Sequence, residues 1–82
     1  MLFGESRTIK KKFGLRIKMY RDQLGWTQQY LSYKRRVAES EISKIETGKK
    51  AVTLETAFKL IWSMDADPGV FFDWKGFKRE QS

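Results

Sequence analysis

The chain has 82 residues, a length that suits one domain around a single small core. It contains neither cysteine nor histidine, so a disulfide framework, thiol chemistry and a histidine general base are excluded, and a zinc site would need carboxylates alone. Its 17 Lys and Arg residues against 10 Asp and Glu give a formal net charge of +7, which favours a polyanionic partner and also aids solubility.

Neither a membrane span nor a signal peptide is indicated by the pattern of apolar residues. No apolar run approaches the roughly 20 residues that cross a bilayer. The start of the chain, Met1 to Arg7, lacks the long apolar region of a signal peptide. We therefore expect a soluble, cytoplasmic protein that uses no cofactor and no metal ion.

The first helix is predicted over 9–24. Five apolar residues recur at intervals of three and four and so share one helix face: Ile9, Phe13, Ile17, Tyr20 and Leu24. Gly25 then stands where a left-handed helix end favours glycine. Gly14 lies inside this helix at a cost on the order of 1 kcal/mol relative to alanine. Either the helix is firm only after Gly14, or another backbone packs closely against it.

Four shorter helices are predicted after it, over 28–34, 39–46, 54–64 and 68–73. Thr27 and Thr53 are suitable N-caps for the second and fourth helices. Gly48 ends the third, and Asp67-Pro68 is a typical start of the fifth. The fourth helix supplies the largest predicted share of the core, with Leu54, Ala57, Leu60, Ile61 and Met64.

These helices predict one all-α domain over 1–82. Its core domain would cover 9–73, with a short N-terminal arm over 1–8 and a charged C-terminal tail over 74–82 that frays.

An ordered series of residues between Gly14 and Phe72 is typical of one family. Its members are Gly14, Ile17, Tyr20-Arg21, Gly25-Trp26-Thr27-Gln28, Leu31-Ser32, Val37-Ala38, Ile42-Ser43-Lys44-Ile45-Glu46-Thr47-Gly48-Lys49, Thr53-Leu54, Leu60, Met64, Asp67-Pro68 and Phe71. In order and spacing they resemble the Xre / phage-repressor (lambda repressor and Cro) helix-turn-helix family. In size and layout the chain also resembles the small controller proteins of restriction–modification systems. The resemblance implies a five-helix lambda-repressor-like DNA-binding domain whose third helix enters the major groove.

The third helix is the predicted reader of DNA sequence. With Val37, Ile42 and Ile45 directed inward, its outward residues are Glu39, Ser40, Ser43 and Lys44. The resemblance implies base contacts from this face, where lysine can donate to guanine and glutamate can accept from cytosine N4. A solvated helix face without function is the alternative. Glu41 adds a carboxylate that weakens sequence-independent binding to phosphates.

Phosphate contacts are predicted for Thr27, Gln28, Lys49 and Lys50. The resemblance implies that Gln28 binds a phosphate and braces the third helix, and a helix N-terminus suits phosphate. For the two lysines a solvated loop is the alternative. Arg21 and Glu46 resemble the family's paired arginine and glutamate, which implies a structural ion pair that holds the reader helix in place.

Two departures from the family pattern affect the turn before the third helix. Arg36 stands where the family usually has glycine. Either Arg36 is held left-handed at a cost of roughly 1–2 kcal/mol, or the turn relaxes its geometry. Ala38 replaces a capping side chain, which forfeits on the order of 1 kcal/mol.

An excess of apolar residues near the C-terminus predicts an interface. Phe58 and Trp62 lie four residues apart beside the core-facing stripe of the fourth helix. With Val70 and Phe71 they exceed what so small a domain buries easily. We expect a two-fold dimer through the fourth and fifth helices. In the alternative, the aromatic residues of the tail fold back over the fourth helix.

The sequence therefore predicts a regulator of transcription, not an enzyme. It would bind a pseudo-palindromic operator in double-stranded DNA as a homodimer, either as a repressor or as an activator. The alternative is an antitoxin-like or other protein-binding module of the same fold. Membrane binding through the first helix conflicts with the use of its apolar face in the core. No nucleophile–base pair or phosphate loop is recognisable.

Overall fold

The computed structural model describes the backbone of residues 2–79 and the side chains from Thr8 to Arg79. This part of the chain forms five α-helices and one 3-10 helix. They are α1 (Leu2–Leu24), α2 (Gln28–Arg35), α3 (Glu39–Glu46), α4 (Leu54–Ser63), α5 (Pro68–Phe72) and the 3-10 helix Lys75–Phe77. The predicted all-α, five-helix architecture is confirmed. Met1 of the predicted arm and residues 80–82 of the predicted tail lie outside the described residues.

The start of α1 is the largest difference from the predicted helix bounds. The helix begins at Leu2 instead of residue 9, so the predicted arm is helical over its described part. Apolar spacing marks the part of a helix that packs on a core, and the backbone can remain helical beyond that part. The bounds of α2 to α5 differ from the predictions by at most one residue. No helix within residues 2–79 is both long and apolar enough to span a lipid bilayer.

Capping side chains explain why the later helix starts were predictable. Thr27 Oγ1 accepts a hydrogen bond from the Tyr30 amide at 3.0 Å. Thr53 Oγ1 accepts one from Thr56 at 3.1 Å, and Asp67 Oδ2 accepts one from Val70 at 3.0 Å. Each bond satisfies a backbone donor that the first turn of a helix leaves without a partner.

The core draws on all five helices. Its buried apolar side chains are Phe13, Ile17, Leu31, Ile42, Ile45, Ala57, Leu60, Ile61, Met64 and Phe71. Ile9 and Leu24, the two ends of the apolar face predicted for α1, are instead exposed. Between Thr8 and Leu24, the buried apolar residues of this helix are Phe13 and Ile17.

Gly14 marks the closest approach of two helices. A Cβ atom built there would lie 2.1 Å from the carbonyl oxygen of Ile45 and 2.7 Å from that of Glu46. Such distances leave no room for a side chain. Of the two explanations that the sequence allowed, close packing of another backbone is the correct one. The C-terminal end of α3 is thereby fixed directly against α1.

The C-terminal segment folds back on α1 and α5. Arg16 Nε donates to the Phe71 carbonyl at 2.9 Å, and its guanidinium carbon lies 5.2 Å from the centre of the Trp74 ring. The Phe77 ring lies 6.3 Å from that of Phe71 and 5.0 Å from that of Trp74. The prediction that the tail frays is therefore wrong as far as Phe77, because aromatic packing and one arginine hold this segment.

The turn between α2 and α3 keeps a left-handed residue although it has no glycine. Arg36 has φ 63° and ψ 46°. The next amide, that of Val37, donates to the Ser32 carbonyl at 3.1 Å, which closes the end of α2. Of the two alternatives that the sequence left open, the turn keeps its left-handed residue and does not relax. Ala38 makes no side-chain capping bond at the start of α3.

Candidate nucleic-acid interface

The outward face of α3 is open. Glu39, Ser40 and Lys44 are exposed and Ser43 is half-buried, while Ile42 and Ile45 on the opposite face are buried in the core. The four predicted base-contacting side chains therefore share one face of a helix, and the described residues leave that face uncovered. We name this face the reader face, made of Glu39, Ser40, Ser43 and Lys44.

The reader face depends on tertiary contacts for its position. Helix α3 has only 8 residues and begins at an uncapped residue, Ala38. An isolated helix shorter than about 12 residues is marginal in water. Its contacts with α1 and α2 must therefore fix both its conformation and its direction.

A buried ion pair supplies the most specific of these contacts. Arg21 Nε lies 2.7 Å from Glu46 Oε2, and Arg21 Nη2 lies 3.0 Å from Glu46 Oε1. Both residues are buried. The hydrogen bond to Glu46 raises the pKa of Arg21 above its ordinary value although burial opposes this shift. The guanidinium therefore stays charged and joins α1 to the end of α3 through a two-point contact.

The same ion pair extends to the start of α2. Arg21 Nη1 donates to the Trp26 carbonyl at 2.6 Å, and Gln28 Nε2 donates to Glu46 Oε1 at 3.0 Å. The sequence predicted a phosphate contact for Gln28 and did not predict its bond to Glu46. An amide nitrogen carries two protons, so one remains that can reach a phosphate oxygen. Thr27, the other predicted phosphate contact on this side, is exposed beside it.

The loop after α3 carries the other two predicted phosphate contacts. Gly48 has φ 76°, and the Lys49 amide donates back to the Lys44 carbonyl at 2.9 Å, so the loop leaves the helix in a defined direction. The side chains of Lys49 and Lys50 are both exposed.

Lys50 differs from Lys49 because its Nζ forms an ion pair with the carboxylate of Glu41. The hydrogen bond from Lys50 lowers the pKa of the Glu41 carboxyl below its ordinary value. The negative charge of Glu41 partly compensates the positive charge of Lys50 before any phosphate binds. The phosphate contact of Lys50 stays a prediction, and it competes with this internal pair.

A second surface lies on α4 and α5. Leu54, Phe58 and Trp62 follow one another at intervals of four on α4. Leu54 is 73% exposed and Trp62 58% exposed, although Leu54 was predicted in the core. On α5, Val70 is 59% exposed. The ring of Phe72 lies 6.4 Å from that of Phe58 and joins the two helices. These five residues form what we call the α4–α5 apolar surface.

Phe71 does not belong to this surface. The sequence placed it at the dimer interface, and that prediction is wrong, because its side chain is completely buried against α1 and the 3-10 helix. The neighbouring Phe72 lies at the surface instead. A helix of five residues turns adjacent side chains in different directions, and the sequence carries no periodic signal over so short a length.

Known proteins share this architecture. A family model described as helix-turn-helix matches residues 17–61, which span the C-terminal part of α1 from Ile17, all of α2 and α3, and most of α4. The crystal structure of the restriction-modification controller protein C.Esp1396I matches with a TM-score of 0.73 and 28% identity, covering 77% of this chain and 83% of that chain. The controller protein C.AhdI from Aeromonas hydrophila matches with a TM-score of 0.71 and 29% identity, covering 76% of this chain and 94% of that chain. No curated protein matches the sequence at a significant level.

Proposed function

The chain belongs to the helix-turn-helix family of DNA-binding regulators, and from that premise we propose that it controls transcription by binding a pseudo-palindromic operator as a homodimer. The regulated genes would belong to a restriction–modification system, because the similar solved structures are those of restriction-modification controller proteins. The reader face of α3 would lie in the major groove of each half-site. Half-sites would be separated by about 10 base pairs or a multiple of that distance.

The single observation that carries this proposal is the open reader face on a helix with a fixed direction. Lys44 is exposed at its centre and can donate to O6 and N7 of guanine. Glu39 and Ser40 stand at the start of the helix, where the family pattern expects base contacts. Direct readout needs such groups in one fixed geometry, which the Arg21–Glu46 ion pair supplies.

Phosphate contacts would position the domain on the duplex without choosing its sequence. Thr27 and Gln28 at the start of α2 are candidates on one side of the reader face, and Lys49 with Lys50 are candidates on the other. The net charge of +7 supports the same partner, because each lysine or arginine that meets a phosphate releases a bound counterion.

Dimer formation is supported by the α4–α5 apolar surface. Contiguous exposed apolar patches of this kind commonly mark interaction sites. A two-fold axis through this surface would bring together the same residues of two subunits, as an isologous interface requires. Two reader faces would then be presented to two half-sites of opposite direction, which matches a pseudo-palindrome.

Selection of bound duplexes from a random pool tests the function. We expect a consensus with two inverted half-sites, and binding that weakens as salt rises. The competing function is an antitoxin-like protein-binding module, favoured by the two carboxylates Glu39 and Glu41 on α3. Failure to enrich any consensus, together with retained binding to a protein partner, would favour that module.

A further inference from the structure

The ion pair between Glu41 and Lys50 lies at the border of the reader face. It joins α3 to the loop that follows, and its two residues are nine positions apart in the chain. The side chain of Glu41 is 34% exposed and that of Lys50 is 44% exposed, so both charged groups are accessible from solvent. Lys49, the neighbouring lysine, is exposed.

We propose that Glu41 acts as an internal counter-charge that withholds Lys50 from the phosphate backbone and so weakens sequence-independent DNA binding. This inference rests on the proposed DNA-binding function. Glu41 is then a positioning residue that acts through Lys50 and does not itself read a base. The interaction that Glu41 weakens is the ion pair between the Lys50 ammonium group and the phosphate oxygens of double-stranded DNA.

The physical argument concerns counterions. A free lysine that binds a phosphate releases a counterion from DNA, and each such contact steepens the dependence of log K on log salt by about 0.9. A lysine already paired with a carboxylate brings almost no net charge to the duplex. Its contact with phosphate also requires the carboxylate to approach the same phosphates, which repel it. The pair therefore subtracts one contact from the electrostatic part of binding.

Direct repulsion is the simpler alternative for Glu41. A carboxylate near phosphates would weaken binding even without Lys50. The two accounts differ in whether the effect of removing the Glu41 carboxylate on the number of released counterions depends on Lys50. Direct repulsion predicts that removal of the carboxylate has the same effect whether or not a lysine is present at position 50, whereas the proposal predicts an effect only with the lysine.

The test is a double-mutant cycle read by salt dependence. The full chain is used as wild type, Glu41→Gln, Lys50→Gln and the double variant, and each is titrated with a random-sequence duplex across a range of salt concentrations. We expect Glu41→Gln to bind more tightly and to steepen the salt slope by about 0.9 per bound subunit. Lys50→Gln alone should leave the slope near that of the wild type, and the double variant should return to it.

Two matched controls accompany the cycle. Lys49→Gln should change the slope equally with and without Glu41, because the structure gives Lys49 no contact with that carboxylate. Glu55→Gln removes a carboxylate that is paired with Lys59 at 2.9 Å on α4, and it should leave the slope unchanged. Circular dichroism checks that all variants retain the fold.

The possible results distinguish failure of this inference from failure of the proposed function. If the wild type binds DNA but Glu41→Gln leaves the salt slope unchanged, this inference alone is overturned. The same holds if the double variant has a steeper salt slope than Lys50→Gln. If Glu41→Gln changes the selected consensus at one base position, Glu41 reads a base and the inference is again overturned. If the wild type shows no salt-dependent binding to any duplex, the proposed function fails and this inference fails with it.

Discussion

The contact between α1 and α3 is held by polar groups that satisfy one another, whereas the α4–α5 apolar surface leaves aromatic area in water. At the first region, Arg21 and Glu46 are buried and paired, and Gly14 lets two backbones meet. At the second, Trp62 and Val70 are more than half exposed. One region is complete within a single subunit, and the other would be completed by a second copy.

This difference separates two tasks. A helix that reads bases needs one fixed direction, and a bidentate ion pair specifies direction more strictly than apolar packing does. Apolar surface gives association without strict geometry, because the hydrophobic effect is non-directional. The reader face and the proposed dimer surface can thus be disrupted independently, and three substitutions sharpen this comparison.

The largest effect is expected from Glu46→Ala. Removing Glu46 takes away the buried partner of Arg21 and leaves the guanidinium with only the exposed carboxylate of Asp22, at 3.3 Å. Breaking a buried ion pair typically lowers the free energy of unfolding by about 3–5 kcal/mol. Gln28 also loses its bond to Glu46. Urea denaturation measures the change. Glu55→Ala, which removes an exposed carboxylate, is the control and should change stability by less than about 1 kcal/mol. Equal effects of the two substitutions would contradict a structural role for the pair.

The next effect concerns association. Trp62→Glu should weaken the dimer by about 2 kcal/mol or more, because a buried tryptophan is a frequent hot spot and a carboxylate there would be desolvated. Sedimentation equilibrium at micromolar concentration measures it. Tyr33→Glu on α2, which is 74% exposed and outside the α4–α5 apolar surface, is the matched control and should not change the dissociation constant. A wild-type protein that sediments as a monomer at this concentration would contradict the proposed dimer.

Gly14→Ala should give the smallest of the three effects. Alanine favours a helix over glycine by about 1 kcal/mol, but its Cβ would overlap the carbonyl oxygen of Ile45. Overpacking typically costs about 1–3 kcal/mol, so we expect net destabilisation. Thermal unfolding measures it, with Gln23→Ala at an exposed position of α1 as the control. A Gly14→Ala protein more stable than the wild type would show that the two backbones are not in close contact.

Much of the fold could be predicted because local signals coincide with the helix starts. Thr27, Thr53 and Asp67 each cap a helix as expected. The start of α1 could not be predicted, because its first turns lie before the periodic apolar residues. The sequence left the conformation of the turn at Arg36 undecided, since only the surrounding structure holds a conformation that the residue itself disfavours.

The candidate site shows the same division. The outward positions of α3 follow from helical spacing, and the open reader face agrees with them. Leu54 was predicted in the core and is exposed, whereas Phe71 was predicted at the surface and is buried. The sequence does not show which neighbours cover each residue. The bonds of Arg16 to the end of α5 and of Lys50 to Glu41 join residues through a fold that periodicity alone does not describe.

The central claim is that the reader face chooses the DNA sequence, and Lys44→Ala tests it most directly. Its affinity is measured for the selected operator and for every single-base variant of one half-site, beside Lys49→Ala. We expect Lys44→Ala to lose about 1–3 kcal/mol of discrimination at one base position while the other positions keep theirs, and Lys49→Ala to weaken all sequences alike. A Lys44→Ala protein that binds every sequence more weakly by one common factor would contradict the base-reading role of α3.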